Sequence, residues 1–243
     1  MDNATQPATL PSLPPGGLAV VVGASGGIGA ALLHALEASG LFAKVVGLSR
    51  SSTPALDLLD EQSIRACAQN VQAHGLALRL VMDATGFLHN STWSPEKSWQ
   101  QLDPAHMAHS FAVNAIGPAL LMKHLLPLLP REGKSVFATL SAKVGSIGDN
   151  RLGGWYSYRA SKAALNQLVH TAAIELRRKH PQAVCIALHP GTVDTGLSTP
   201  FAKTGLEVRT PEQAALRLLA VLEGLTAADS GGFFNHDGSP LPW

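Results

Sequence analysis

The chain has 243 residues, of which 46% are hydrophobic and 14% are charged, and its formal net charge is +1. A chain of this length and composition can bury one large core, so we expect a single domain. Because no run of Lys or Arg could follow a phosphate backbone, nucleic acid is not expected as a partner.

The cysteines and the N-terminal segment bear on the cellular compartment. Cys67 and Cys185 lie far apart in apolar runs, so buried thiols are expected, which suits a reducing cytoplasm. Residues 1–16, "MDNATQPATLPSLPPG", lack the basic and apolar regions of a secretory signal, and no uncharged apolar run of 18 residues follows. We expect a cytoplasmic protein without membrane contact, with a flexible Pro-rich lead (1–16) before one domain (17–243).

The first half of the domain alternates between strand and helix. Residues 18–40, "LAVVVGASGGIGAALLHALEASG", run from a strand through a glycine turn into a helix. A second strand, "AKVVGLSR" (43–50), precedes "ALDLL" (55–59), which we interpret as a short third strand. A helix over 60–75, with Asp60 as its N-cap, leads to a strand over 76–86.

The second half continues the same alternation. It predicts a long helical region from about 104 to 126, a strand over 134–141, a helix from Tyr156, and a buried strand over 183–191. A helix follows Thr210, and "GGFFNHDG" closes the domain. Such alternation is typical of an α/β fold: one doubly wound parallel sheet, here of about seven strands, with helices on both faces.

The glycine turn after the first strand predicts a phosphate-binding site. Gly23, Gly27 and Gly29 in "VGASGGIGA" allow a tight turn and a close approach of the backbone to a pyrophosphate. The N–H groups of the following helix would face its charge. The alternative is a turn that serves only the packing of the strand against the helix.

The end of the second strand bears on the choice of cofactor. A carboxylate at this position would bind the ribose hydroxyls of NAD, whereas this chain has Ser49 and Arg50. A hydroxyl beside a guanidinium suits a 2′-phosphate, so NADP is favoured over NAD. Alternatively, Arg50 is a solvated loop arginine.

The stretch "WYSYRASKAALN" (155–166) combines a phenol with an ammonium group. Tyr158 and Lys162 lie at i and i+4, on one face of the predicted helix, whereas Tyr156 has Ala160 at that spacing. A nearby positive charge would favour the phenolate and so lower the pKa of the tyrosine. Ser141 ends the strand before this helix, at the edge where open α/β sheets bind ligands.

Together these motifs resemble the short-chain dehydrogenase/reductase family. The resemblance rests on "GASGGIG", "DATG", "FAVNAIGP", "YRASK" and "HPGTVDT", and it extends from Leu18 to the C-terminus. It implies a Rossmann-type fold in which Tyr158 is the acid/base and Lys162 lowers its pKa and binds the nicotinamide ribose. Ser141 would orient the carbonyl, and Asn114 would hold a water that links Lys162 to bulk solvent; alternatively, Asn114 is bonded to nearby backbone.

The resemblance also implies further cofactor contacts. Beyond the glycines, they come from these residues: Ser25, Ile28, Ser49, Arg50, Asp57, Leu58, Ala84, Gly86, Tyr158, Lys162, Val193 and Thr195. Asp57 could instead cap the next helix. The chain departs from the family pattern at Asp83, where Asn is usual; a carboxylate cannot donate the amide hydrogen bond, which puts the stability of the central sheet in doubt.

The function that the resemblance implies is NADP-dependent hydride transfer between a carbonyl compound and an alcohol. The overall pattern is similar to the subgroup that contains the bacterial C-factor signalling proteins and small carbonyl reductases. A cofactor-binding signalling protein with weak catalysis is therefore the second hypothesis. The resemblance also suggests a homodimer or homotetramer, formed through residues 104–126 and the tyrosine helix.

A metal site is not expected. His106 and His109 are spaced i, i+3, but no carboxylate is placed to complete a zinc site, and the inferred reaction needs no metal. We interpret both as solvated helix histidines.

Overall fold

Strands and helices alternate along the chain as the hydrophobic pattern predicts. The computed structural model describes residues 9–198, 201 and 207–243. In chain order, the elements are β1 (Leu18–Val22), α1 (Gly27–Ala38), β2 (Lys44–Leu48), α2 (Glu61–Ala73), β3 (Leu78–Asp83), α3 (Pro104–Phe111), α4 (Gly117–Leu125), β4 (Ser135–Leu140), α5 (Tyr156–Lys179), β5 (Ala183–His189), β6 (Thr192–Val193), β7 (Val208–Arg209), α6 (Pro211–Gly224) and β8 (Phe233–Asn235).

The principal sheet is parallel and covered on both faces. Its strand order is β2-β1-β3-β4-β5-β8, and every neighbouring pair is parallel. Ile64 of α2, Leu121 of α4 and Leu165 of α5 belong to the core on one face, and Leu32 of α1 and Leu218 of α6 belong to the core on the other. The doubly wound α/β architecture is therefore confirmed, with the carboxyl ends of all six strands at one edge.

The predicted strand over residues 55–59 is wrong. Among the described residues the principal sheet has six strands, close to the expected number of about seven, and β2 is one of its edge strands. Leu56 donates to the backbone oxygen of Ser49 at 2.8 Å, but the preceding Pro54 has no N–H to continue a ladder. The segment therefore packs against the domain without extending the sheet.

The N-terminal lead is shorter than expected. Leu10 and Leu13 are buried in the core beside α1 and α6, and the Ser12 hydroxyl donates to Glu223 of α6 at 2.7 Å. Burial of two leucines fixes the chain well before residue 16. The expected flexibility is thus corrected for residues 10–16, whereas residues 1–8 lie outside the described residues.

The long helical region between β3 and β4 is interrupted. Residues Ala112–Ile116 form one π-helical turn between α3 and α4, and the helical stretch Pro104–Leu128 has the length and apolar composition of a membrane span. Yet α4 packs against α2 and α5 through buried residues such as Leu121 and Leu125. A core helix therefore accounts for this apolar composition.

The turn between β1 and α1 is built on a close backbone approach. Gly23 has a φ of +80°, which favours glycine, and a Cβ on Gly29 would lie 2.1 Å from the carbonyl oxygen of Gly23. No side chain fits at that distance. The first turn of α1 therefore lies directly against the end of β1.

We expect Gly29→Ala to destabilise the domain by about 3 kcal/mol, because the added methyl group forces the turn away from β1. Urea unfolding measures the effect. Gly224→Ala is the matched control, since Gly224 is also helical and a Cβ there has no atom within 4 Å among the described residues. Equal stability of the two variants would contradict the close-packing account.

Candidate active site

The glycine turn and the segment after β5 meet at the carboxyl edge of the sheet. A Cβ on Gly27 would lie 2.9 Å from Cγ2 of Thr195, so these two predicted cofactor residues are neighbours. Ser25 is exposed in the turn, and Ile28, in the first turn of α1, packs against the core. The N-terminus of α1 thus has an accessible hydroxyl beside it and Thr195 across from it, an arrangement suited to a phosphate.

The second half of the same edge is formed by residues 189–198. Val193 is buried in β6, and its carbonyl oxygen accepts a hydrogen bond from the Ser198 hydroxyl. The Thr195 hydroxyl lies 3.2 Å from the Ser198 hydroxyl. Ser198 therefore fixes the backbone that carries both predicted cofactor residues.

The end of β2 has an accessible guanidinium. Ser49 is partly buried, and its backbone N–H donates to the Ser52 hydroxyl oxygen at 3.0 Å, while its own hydroxyl lies 3.0 Å from that of Ser51. Arg50 is exposed, and no hydrogen bond or ion pair joins it to any other described residue. This loop therefore holds several hydroxyl groups beside an unpaired positive charge.

Asp57 and Leu58 follow this loop in the chain and make different contacts. The Asp57 carboxylate accepts from the backbone N–H of Leu59 at 2.9 Å, while Asp60 accepts from Gln62 and caps α2, as predicted. Leu58 packs against α4, because a Cβ on Gly117 would lie 2.8 Å from its Cβ. Ala84 lies at the end of β3, and its N–H donates to Val22 at 2.9 Å.

The Lys162 ammonium group is buried at the centre of the candidate site. Its side chain is 2% exposed, and Nζ donates to the backbone oxygen of Leu140 at 2.7 Å. Burial lowers its pKa to about 8, and the charge of Asp83 partly offsets this effect. At neutral pH, the protein therefore holds a mostly protonated ammonium group away from solvent.

Tyr158 lies one helical turn before this lysine, as the spacing predicts. Lys162 Nζ is 6.0 Å from the centroid of the Tyr158 ring. Burial raises the pKa of the Tyr158 phenol, so the net shift in this structure is upward, opposite to the predicted lowering. The rise comes from desolvation of the phenol.

Asn114 lies in the π-helical turn and is fully buried. Its Nδ2 donates to the Phe87 backbone oxygen at 2.8 Å and to the Ser161 hydroxyl at 3.1 Å, and its Oδ1 accepts from the Phe87 N–H at 2.7 Å. A Cβ on Gly86 would lie 3.7 Å from Lys162 Nζ and 3.8 Å from Asn114 Oδ1. Gly86 therefore marks the point where these two predicted site residues converge.

Asp83 is satisfied without an amide. Its carboxylate accepts from the Thr139 hydroxyl at 2.6 Å, from the Thr85 hydroxyl at 2.6 Å and from the Thr85 N–H at 3.1 Å. Burial raises the pKa of Asp83, and these hydrogen bonds and the charge of Lys162 oppose the rise. All these partners are hydrogen-bond donors, so a carboxylate, which only accepts, satisfies them. At these contacts, Asp83 therefore does not weaken the central sheet, contrary to the doubt that the sequence raised.

Ser141 follows β4 and faces α5. Its N–H donates to Leu188 of β5 at 2.8 Å, and its hydroxyl donates to Asn166 Oδ1 at 2.6 Å. Asn166 lies one turn after Lys162, so three consecutive turns of α5 carry Tyr158, Lys162 and Asn166. The sequence analysis missed Asn166, although its i+4 spacing from Lys162 placed it on the same helical face.

A second missed feature fixes the start of α5. Glu96 is buried, and its carboxylate accepts hydrogen bonds from the N–H and the hydroxyl of Ser157 in the first turn of the helix. His106 of α3 is also buried, 3.4 Å from Glu96 and stacked on Trp93. His106 is therefore not the solvated histidine that we predicted. It packs against Glu96 and Trp93, in the loop that stabilises the start of α5.

Aromatic side chains border the phenol. The ring centroid of Trp155 lies 6.1 Å from that of Tyr158 and 5.5 Å from that of Phe201, and His89 lies 5.1 Å from Phe201. Trp155 has a φ of +53°, an uncommon conformation for a residue other than glycine. The backbone thus turns this indole toward the phenol and leaves an apolar wall beside it.

Comparison with known proteins agrees with this geometry. A family model described as short chain dehydrogenase matches residues 17–205. The 1-hydroxy-2-glutathionyl-2-methyl-3-butene dehydrogenase of Rhodococcus sp. (strain AD45) is 34% identical over 190 residues, which are 78% of this chain and 79% of that protein. The C-signal of Myxococcus xanthus is 37% identical over 144 residues, which are 58% of this chain and 81% of that protein.

The solved structures include an NADPH-bound carbonyl reductase from chicken fatty liver. It is similar to this protein with a TM-score of 0.83 and 25% identity, over 98% of this chain and 97% of that chain. The chain therefore belongs to the short-chain dehydrogenase family. It is accordingly an oxidoreductase.

Replacing Lys162 with Met should change the pH dependence of stability. The folded pKa of about 8 is below the ordinary value of 10.5, so the unfolded chain binds the proton more tightly between these pH values. Stability of the wild type relative to Lys162→Met should therefore be constant below pH 8 and rise above it, by about 2 kcal/mol near pH 10.

Urea unfolding at pH 7, 8, 9 and 10 measures this difference. Lys179→Met, which removes an exposed lysine from the same helix, should keep the pH dependence of the wild type. Parallel curves for wild type and Lys162→Met would show that the ammonium group is not buried.

Proposed function

We propose that the protein is an NADPH-dependent carbonyl reductase that converts a ketone or an aldehyde to an alcohol. The observation that carries this proposal is the phenol of Tyr158, which burial keeps protonated, one helical turn before the buried Lys162 ammonium. Ser141 lies at the adjacent strand end, where its hydroxyl can reach a ligand at the carboxyl edge. The similarity to an NADPH-bound carbonyl reductase supports the same reaction.

The cofactor proposal rests on two regions at the carboxyl edge of the sheet: the glycine turn after β1 and the loop after β2. The glycine turn permits close backbone approach at the start of α1, and Arg50 offers an exposed guanidinium to a 2′-phosphate. Bound NADPH would supply the hydride. The residues that would hold it are Gly23, Ser25, Gly27, Ile28, Gly29, Ser49, Arg50, Asp57, Leu58, Ala84, Gly86, Tyr158, Lys162, Val193 and Thr195.

The protein residues would handle the proton and the carbonyl oxygen. The hydroxyl groups of Ser141 and Tyr158 bind this oxygen, and Tyr158 transfers its proton to it as negative charge develops. Lys162 stabilises the resulting phenolate by its positive charge. Asn114, bonded on both sides of its amide to Phe87 and Ser161, holds the loop after β3 beside Lys162.

We assign the direction as reduction, because NADPH is usually the abundant form of this cofactor in the cell. A proton donor must be protonated at the start of the reaction, and burial raises the pKa of Tyr158. The aromatic wall formed by Trp155 and Phe201 suits a substrate with an apolar group beside its carbonyl.

The similarity to the C-signal of Myxococcus xanthus supports a second candidate function. In this case the chain binds the cofactor as a signalling protein, with weak catalysis. Tight binding of NADPH without turnover on any carbonyl compound would favour it. The presence of Tyr158 together with Ser141 argues against it, because cofactor binding alone requires neither a proton donor nor a hydroxyl that binds a carbonyl oxygen.

Location and assembly are also proposed. We place the protein in the cytoplasm, where NADPH is available, as a homodimer or homotetramer. Ile116, Leu168 and Ile174 are 54%, 36% and 53% exposed on α5 and the helical region before it, which supports assembly through these helices.

Tyr158→Phe tests the proposed reaction. We expect NADPH oxidation with a panel of ketones, aldehydes and diketones, and a fall in kcat of about 1,000-fold in the variant, because the proton donor is lost. Tyr156→Phe removes a phenol two residues away on the same helix and should retain wild-type kcat. Turnover that survives the loss of the Tyr158 hydroxyl would disprove the mechanism.

Arg50→Asp tests the cofactor preference. The carboxylate would repel a 2′-phosphate and accept hydrogen bonds from ribose hydroxyls, so the ratio of kcat/KM for NADPH to that for NADH should fall about 100-fold. Arg131→Asp makes the same charge change near the start of β4, at the opposite edge of the sheet, and should leave the ratio unchanged. An unchanged ratio in Arg50→Asp would remove Arg50 from the cofactor site.

A further inference from the structure

The amide of Asn166 lies directly behind the Ser141 hydroxyl. Ser141 is 4% exposed and Asn166 3% exposed, and Ser141 Oγ lies 2.6 Å from Asn166 Oδ1. A serine hydroxyl has one proton to donate. With the amide oxygen toward Ser141, this proton goes to Asn166 and is unavailable to a substrate carbonyl.

The opposite end of the same amide is unsatisfied. Nδ2 of Asn166 is buried and has no hydrogen-bond partner within the described part of the chain. A buried N–H without an acceptor is rare in proteins, whereas an under-satisfied carbonyl oxygen is better tolerated. The present orientation therefore combines a committed serine proton with an orphaned pair of donors.

A half turn of the amide resolves both features. The two ends of a carboxamide have nearly the same shape, so the turn needs no change in packing. Asn166 also borders a cavity lined by Gly145, Ala163 and His170, which leaves room for the movement. After the turn, Nδ2 donates to Ser141 Oγ, and the oxygen takes the position without a partner.

We propose that this turned orientation is the favoured one and that Asn166 is a positioning residue for Ser141. With its lone pair occupied by the Asn166 amide, the Ser141 hydroxyl directs its own proton to the substrate oxygen. Ser141 and Tyr158 then donate to the same carbonyl oxygen. The proposal deepens the carbonyl reductase function and depends on it for its kinetic consequence.

Asn166→Asp tests the direction of this hydrogen bond. The variant is nearly isosteric, but its carboxylate only accepts, so Ser141 must donate to it. We expect kcat for carbonyl reduction to fall roughly 100-fold at pH 8 while KM for NADPH changes less than about twofold. Activity should recover as the pH falls, because a protonated carboxyl group donates to Ser141 again.

Two comparisons separate this effect from a general effect of charge. Gln167→Glu adds the same charge one residue further along α5, at an exposed position, and should retain wild-type kcat. In a Ser141→Ala background, Asn166→Asp should cause no further loss, because both changes act through one hydroxyl. Wild-type kcat in Asn166→Asp at every pH, or an equal loss in the Ser141→Ala background, would overturn the proposal.

Neutron diffraction from deuterated crystals of the wild-type protein gives a readout without turnover. It distinguishes nitrogen from oxygen and locates the deuterium atoms. We expect Nδ2 of Asn166 to face Ser141 Oγ, and oxygen in that position would refute the inference. Because this measurement needs no substrate, it tests the orientation of Asn166 separately from the proposed function. An inactive protein would refute the proposed function alone. The measurement uses the wild-type protein, so it also decides the inference if a variant fails to fold.

Discussion

The burial of one ammonium group constrains the whole active-site edge. Lys162 is almost inaccessible, so its charge must be compensated by groups that the fold itself supplies. One is the carbonyl oxygen of Leu140, which is free to accept because β4 ends there. Another is the negative charge of Asp83 on the neighbouring strand. Groups at the ends of two central strands, β3 and β4, thus stabilise the charge of one side chain on α5.

The packing around this lysine depends on small residues. A Cβ on Gly145 would lie 2.7 Å from Cβ of Lys162, so α5 approaches the segment after β4 closely only because a side chain is absent there. Asp83, which is bonded to Thr139 across β3 and β4, holds the two strands in register behind the lysine. The Asp83 carboxylate therefore provides a charge partner for the ammonium group and a direct link between the strands.

Much of this arrangement could be predicted from local sequence. The glycine turn, the i, i+4 pair of Tyr158 and Lys162, and the caps at Asp60 and Thr210 depend on neighbouring residues, and the structure shows each of them in its predicted place. Local pattern cannot give the balance between desolvation and charge, so the direction of the Tyr158 pKa shift was wrong. That balance depends on atoms from several distant elements.

Other errors also arose from contacts between distant residues. Residues 55–59 have an apolar run typical of a strand, but strand formation requires a partner ladder, which the segment after Pro54 does not form. Leu10 and Leu13 lie in a Pro-rich stretch, and only the tertiary structure shows that the domain has space for them. The Glu96 cap of α5 and the contact between Ser141 and Asn166 span 61 and 25 residues, so no short motif contains them.

Because β2 is an edge strand, the nucleotide preference and the stability of this protein depend on different residues. Because no strand pairs outside it in the described part of the chain, the loop from Ser49 to Asp57 adjoins the sheet on one side only. Arg50 makes no contact that the core needs, whereas Lys162 is buried and bonded to the end of β4. The nucleotide preference of this protein could therefore change through evolution or engineering with little loss of stability, while its buried ammonium group could not.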